Sequence, residues 1–138
     1  MRAPQALIIG IMRNWRSAVD HRQPVLPTII ARSNVWQTAL LAPAVDALLK
    51  LLEAWRGRRF ESGLDSDPEL TGDERELLRL LEIGVPPALA PSSPLLTEVL
   101  RVALVSTAIL LRGWLFAGSP EETSPVHSRR GTASCECR

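Results

Sequence analysis

Between Pro43 and Arg59, apolar side chains return every three or four residues. Val45, Leu48, Leu49, Leu52 and Trp55 form one stripe, with Asp46, Lys50, Glu53 and Gly57 opposite. That period fits an α-helix with one buried face and does not fit a strand, whose side chains alternate between two faces. Asp46 stands four residues before Lys50, the order of charges that supports a helix. A chain carrying this stripe must cover it with something of the same kind.

The same period recurs on either side. Over about 5–19, Ile8, Ile11, Met12, Trp15 and Val19 share a face, and Arg13, Asn14, Arg16 and Ser17 fall on the other. Pro24 and Pro27 bracket a turn, after which Thr28 is placed to cap a segment running to about Leu41. That segment puts Ile29, Trp36 and Leu40 on a common face, and Pro43 either kinks it or opens a new helix as its first residue. Thr71-Gly72-Asp73-Glu74 has the form of a capping box, and Asp73 and Glu74 suit the positive end of the helix dipole. Leu77, Leu78, Leu80 and Leu81 continue that helix, and Gly84 stops it before Pro86-Pro87. A Pro/Ser linker over 85–93 ends at Ser93 as cap and Pro94 as first helical residue. From Leu95 to Phe116 nearly every position is apolar, with Thr97, Glu98, Arg101 and Arg112 gathered on one narrow stripe. A helix apolar over most of its circumference is expected at the centre of a bundle.

Composition agrees with this reading. Leu and Ala are abundant, Tyr is absent and only two Phe occur, which favours helices over strands. The expected fold is all-α: a small bundle of four to five helices forming one domain over 1–118, followed by a disordered C-terminal tail over 119–138 that is rich in polar residues and proline.

Residues 70–84, Leu-Thr-Gly-Asp-Glu-Arg-Glu-Leu-Leu-Arg-Leu-Leu-Glu-Ile-Gly, resemble the opening helix of LuxR/GerE-type helix-turn-helix domains. The resemblance implies DNA binding through two further short helices, the second lying in the major groove. Pro86, Pro87, Pro91 and Pro94 follow instead and break a helix at that place, and the long helix after them is too apolar to read base edges.

Charge is unevenly placed around a net of +1. Residues 1–60 carry nine basic and three acidic groups, 61–98 two basic and nine acidic, and 99–138 five basic and three acidic. Of the sixteen basic residues only Lys50 is lysine. Arginine suits bidentate recognition of phosphate and carboxylate, and the codon usage of a GC-rich genome produces the same excess. Either the basic part faces an anionic partner, or the acidic segment folds back on it.

Trp and Arg occur together at Trp15-Arg16, Trp55-Arg56 and Arg112-Gly113-Trp114, a composition found in helices at membrane surfaces and on single-stranded nucleic acid. Trp15 and Trp55 nevertheless fall on apolar helix faces, which places them in the core. His127, Cys135 and Cys137 are three soft-metal donors in the tail, with no second cluster to complete a site. No metal or other cofactor is expected, and the closely spaced cysteines form no disulfide framework. The run Ala6–Met12 is too short for a signal peptide, and the longest uncharged apolar stretch, Val102–Leu111, is shorter than a membrane span, so the cytoplasm is the expected compartment.

Catalytic residues are scarce. His21 and His127 stand beside no nucleophile, and there is no glycine-rich phosphate loop. The chain therefore reads as a non-enzymatic protein that binds another protein or itself, as a small adaptor, regulator or accessory subunit. Leu104, Leu110 and Trp114 on the last helix are the candidate interface residues. The alternative is an anion-binding module that presents Arg56, Arg58 and Arg59 to a membrane surface or to nucleic acid, peripheral membrane contact being the more expected of the two.

Overall fold

The computed structural model describes residues 3–33, 36–84 and 93–117, with side chains to Gly113. Five helices make up the described chain: α1 (Ala3–Asp20), α2 (Val25–Ala31), α3 (Gln37–Arg56), α4 (Gly72–Ile83) and α5 (Pro94–Ala117). No strand occurs among the described residues, so the fold is all-α. The tail expected over 119–138, with His127, Cys135 and Cys137, lies outside them, as does most of the 85–93 linker.

Two segments differ from the sequence reading. Thr28 is not a cap: α2 begins at Val25, after an extended Pro24, and Thr28 lies inside it. Ile29 is buried, but Trp36 and Leu40 are exposed, so the common face expected for these three does not exist. Of the two readings for Pro43, a fresh start is excluded, because α3 runs through it from Gln37 to Arg56. The missing N–H costs α3 one hydrogen bond, to the carbonyl of Ala39. Packing outweighs that loss, for Leu41, Ala42, Val45, Leu48, Leu49 and Leu52 are all buried on the inner face.

That inner face makes α3 the central helix. It packs against α1, α2 and, most extensively, α5, while α4 sits on α5 and α1. The core joins Ile8, Met12 and Trp15 of α1 to the α3 stripe, with Leu77 and Leu80 of α4 and Leu100 and Leu104 of α5. Both core tryptophans find polar partners, as buried indoles generally must. Trp15 Nε1 donates to Asp46 at 2.7 Å, and Trp55 Nε1 donates to Thr97 Oγ1 at 3.2 Å.

The central position expected for the 93–117 helix is therefore a correction. Leu100, Leu104, Thr107 and Ala108 of α5 are buried, whereas Leu95, Val99, Val102, Val105, Ile109 and Leu110 are exposed. The apolar circumference is real, but only one side of it is covered. The contact of Trp55 with Thr97 at one end and of Leu40 with Leu110 across a groove at the other shows that α3 and α5 run antiparallel.

The α4 capping box forms as its sequence dictates. The Glu74 N–H donates to Thr71 Oγ1 at 3.1 Å, and the Thr71 N–H donates to Glu74 Oε2 at 2.9 Å. Gly84 ends α4 with a φ of 73°, a left-handed conformation that suits glycine.

Candidate interaction site

Two regions carry the side chains singled out above, and they are built in opposite ways. The first lies where α1, α4 and the connecting segment 57–71 meet. Arg13 and Arg16, expected on the solvent face of α1, are instead buried. The Arg13 guanidinium reaches into the turn of 61–70, donating to the carbonyls of Leu64 at 2.7 Å, Asp67 at 2.8 Å and Glu69 at 3.0 Å. It also pairs with Glu74, Nε to Oε1 at 2.9 Å, where Arg13 is 7% and Glu74 0% exposed. Gly63 permits this approach, since a Cβ there would lie 3.0 Å from Arg13 Nη2.

Glu74 does more than cap. Its carboxylate accepts from Arg13, Thr71 N–H, Gly63 N–H and Ser62 Oγ. Burial opposes its charge, but these donors outweigh burial and hold the carboxyl below the usual glutamate range. Asp73 beside it is buried as well and accepts from Arg58, Arg56 and the Glu61 N–H. The hydrogen bond from Arg58 is the largest influence lowering its pKa, against the opposing effect of burial. The acids of α4's first turn, expected to cap the helix and suit its dipole, are thus interior anchors as well.

This geometry decides what surrounds the candidate anion-binding arginines. Arg56 pairs with Asp73 and Glu76, Arg58 with Asp73, and Arg59 with Asp20. The acidic chain does fold back on the basic cluster, although through Asp73 and Glu76, not through the nearer Glu61, Asp65, Asp67 or Glu69. Arg56 is nearly buried in its pair, whereas Arg58 and Arg59 stay 52% and 61% exposed beside their carboxylates. Asp20 also receives Arg16, and Arg16 bridges to Glu53, whose Oε1 accepts the Phe60 N–H at 2.8 Å. No cluster of three metal-ligating side chains occurs among the described residues.

The second region is the outer face of α5. At 100° per residue, Leu95, Val99, Val102, Ser106 and Ile109 fall on one stripe, spaced alternately four and three apart. Glu98, Arg101 and Arg112 lie along one edge of the stripe. Glu98 and Arg101 form an ion pair with each other, and Arg112 makes none among the described residues. The opposite edge is apolar and continues onto α3. There Trp36, Gln37, Leu40 and Leu41 join Ile109, Leu110 and Gly113 around a groove of about 310 Å³. The Gln37 Oε1 is buried and has no donor among the described residues. A second groove of about 300 Å³ lies on the other flank of α5, between Pro4, Ile8, Leu78, Leu81, Ala108 and Leu111.

The three candidate interface residues separate here. Leu104 is 0% exposed and belongs to the core, so it is no interface residue in the folded chain. Leu110 is 40% exposed and borders the Trp36 groove. Trp114 lies within α5, but its side chain is outside the described residues. The sequence reading missed Trp36, Leu40 and Leu95, which are more exposed than Leu110. Periodicity alone could not have found the first two, because it does not say which side of α3 α5 would occupy.

No family model, curated protein or solved structure matches this chain.

Proposed function

We propose that the chain is a non-enzymatic helical binding protein that docks another protein on the outer face of α5. One observation carries this reading. A helix of 24 residues is packed on one side only and leaves a continuous row of large apolar side chains, from Leu95 to Leu110, in solvent. Exposed apolar patches of that continuity are costly in a monomer and characteristic of interaction surfaces.

The same helix is long and apolar enough to cross a membrane: Pro94–Gly113 has a mean hydropathy of 1.8, once the paired Glu98 and Arg101 are tolerated, and 22% of it is buried. The packing speaks against such a span. α3 lies alongside α5 and carries Asp46, Lys50, Glu53 and Arg56, while Arg13 and Arg16 lie on α1 behind it. A bilayer around α5 would have to admit these charges at depth, at a cost of several kcal/mol. The reading accordingly takes α5 as a surface helix of a soluble protein, acting in the cytoplasm.

The test is Val102→Glu combined with Ile109→Glu. Both positions are exposed, so helicity by circular dichroism and thermal unfolding should stay close to wild type. Cross-linking of native complexes in cells, read by mass spectrometry, should show α5 joined to a protein partner in the wild type and not in the variant. Cross-links that survive the double change, or wild-type binding to lipid vesicles in place of protein, would sink the reading.

A further inference from the structure

The partner is chosen by how charge and apolar bulk are laid out along α5. Glu98 and Arg112 are fourteen residues apart, two heptads, and so lie on the same edge of the helix with opposite signs. Midway between them in height is Val105, which stands on the same edge, 37% exposed and next to Gly84 at the end of α4. A two-fold axis through Val105, perpendicular to α5, sets an identical helix antiparallel to the first. Same edge then meets same edge at mirrored heights, so Glu98 of each chain faces Arg112 of the other.

A parallel pair does not do this. Its two-fold axis runs along the helices and sets the charged edge of one against the apolar edge of its partner, so Glu98 and Arg112 stay fourteen residues apart in height and never meet.

A second match follows from the same axis without further choice. α3 runs antiparallel to α5, so Trp36 stands near the C-terminal end of the described α5, on the apolar edge. The antiparallel axis brings the N-terminal end of the second α5 to that height, with its apolar edge inward. Leu95 is 74% and Trp36 65% exposed, the two most exposed apolar side chains of this face. They lie at opposite ends of it in one chain and come together between two.

We infer that the occupant of the α5 face is a second copy of this chain, paired antiparallel about Val105, with Glu98–Arg112 contacts at both ends and Leu95 of each copy seated at the Trp36 groove of the other. The inference rests on the docking reading above and supplies its partner. It makes the interface isologous, the commonest form of closed association, in which one patch serves both sides.

The experiment uses the full chain with Cys135 and Cys137 replaced by Ser, followed by sedimentation velocity across a range of concentrations. A concentration-dependent dimer is expected. Val105→Cys should cross-link to a dimer on mild oxidation, because its two copies meet at the axis. Leu95→Cys should not, because its copies lie about 30 Å apart, twenty residues of helical rise. Glu98→Arg or Arg112→Glu alone should each weaken dimerisation about tenfold by setting like charges together, and the double swap should restore it.

Cross-linking through Leu95→Cys, or a double swap no better than either single change, would overturn the antiparallel register. A chain that stays monomeric at the highest attainable concentration would overturn self-pairing altogether. The docking reading is then judged separately, since the Val102→Glu and Ile109→Glu variant still reports on a different partner in cells. If both the dimer and those cross-links are absent, both conclusions fail.

Discussion

The face built around Arg13 and Glu74 and the outer face of α5 are near opposites in how complete they are. On the first, Asp73 and Glu74 each receive several donors, and the arginine that reaches inward is consumed by three carbonyls and an acid. On the second, apolar groups stand in water and a buried amide oxygen has no donor among the described residues. Polar groups placed in a protein interior must be satisfied internally, because the cost of leaving them unpaired is large. Apolar groups at a surface face no such demand and can wait for a partner. The difference teaches which side of the chain is closed by its own contacts: the charges around Arg13 and Glu74 pair with one another, and the apolar outer face of α5 is the open side.

The sharpest way to break this contrast is Arg13→Ala. It would leave Glu74 charged and buried without its counter-ion and release three loop carbonyls, an expected loss of about 3–5 kcal/mol in chemical denaturation. A loss below about 1 kcal/mol would mean that water or a shifted loop replaces Arg13, and that the first face is less complete than its geometry says.

Leucines on the two sides of α5 test the other half. Leu104→Ala should cost about 2–5 kcal/mol, as for a fully buried leucine. Leu110→Ala should cost under about 1 kcal/mol in the monomer, since much of that side chain is already in water. Equal costs would show that α5 is covered on both sides, and the exposed row would then be no interface.

Thr71→Ala removes one arm of the capping box and should cost about 0.5–2 kcal/mol. The loss should approach the upper end, because Thr71 Oγ1 also donates to the Glu61 carbonyl at 2.8 Å and so ties the loop to the helix.

The smallest effect at neutral pH is electrostatic and shows itself only on acidification. Asp73 and Glu74 have lowered pKa values in the folded chain, so the unfolded chain binds more protons than the folded one across the carboxylate range. Their contribution to stability is complete above the unfolded values of about 4 and is lost as pH falls through the lower folded ones. Unfolding temperature should therefore hold between about pH 7 and 5 and decline below about pH 4. In Glu74→Gln that acid-side decline should be shallower, and an unchanged slope would remove Glu74 as its source.

Much of the fold could be read from the chain because helices announce themselves locally. The α3 stripe, the Thr71–Glu74 box, Gly84 as stop and Pro94 as start are each written within a few residues of where they act. What could not be read are relations between distant segments. Nothing near Arg13 says that Glu74, sixty-one positions on, will meet it, and amphipathicity by itself assigns an arginine on the polar edge to solvent. Pro43 left two readings open, a proline within a helix or the start of a new one, and the core that α3 organises keeps it within one helix. The position of α5 was misjudged because hydrophobicity states how much surface wants covering and leaves unsaid whether the same chain covers it.

The reach of Arg13 also sets an order in time. During synthesis at about 5–20 residues per second, the end of α3 leaves the ribosome about one to four seconds before Glu74 does. Until then the guanidinium has no acid to close on, and the turn it will gather is still unmade. Leu77 and Leu80 cannot cover the α1 face, because the helix that holds them has no capped beginning. A chain that stops near Phe60 therefore holds both partners of Arg16, Asp20 and Glu53, and none of those of Arg13. The first residue of its α4 latch to arrive, Thr71, is also the one that lets the rest shut.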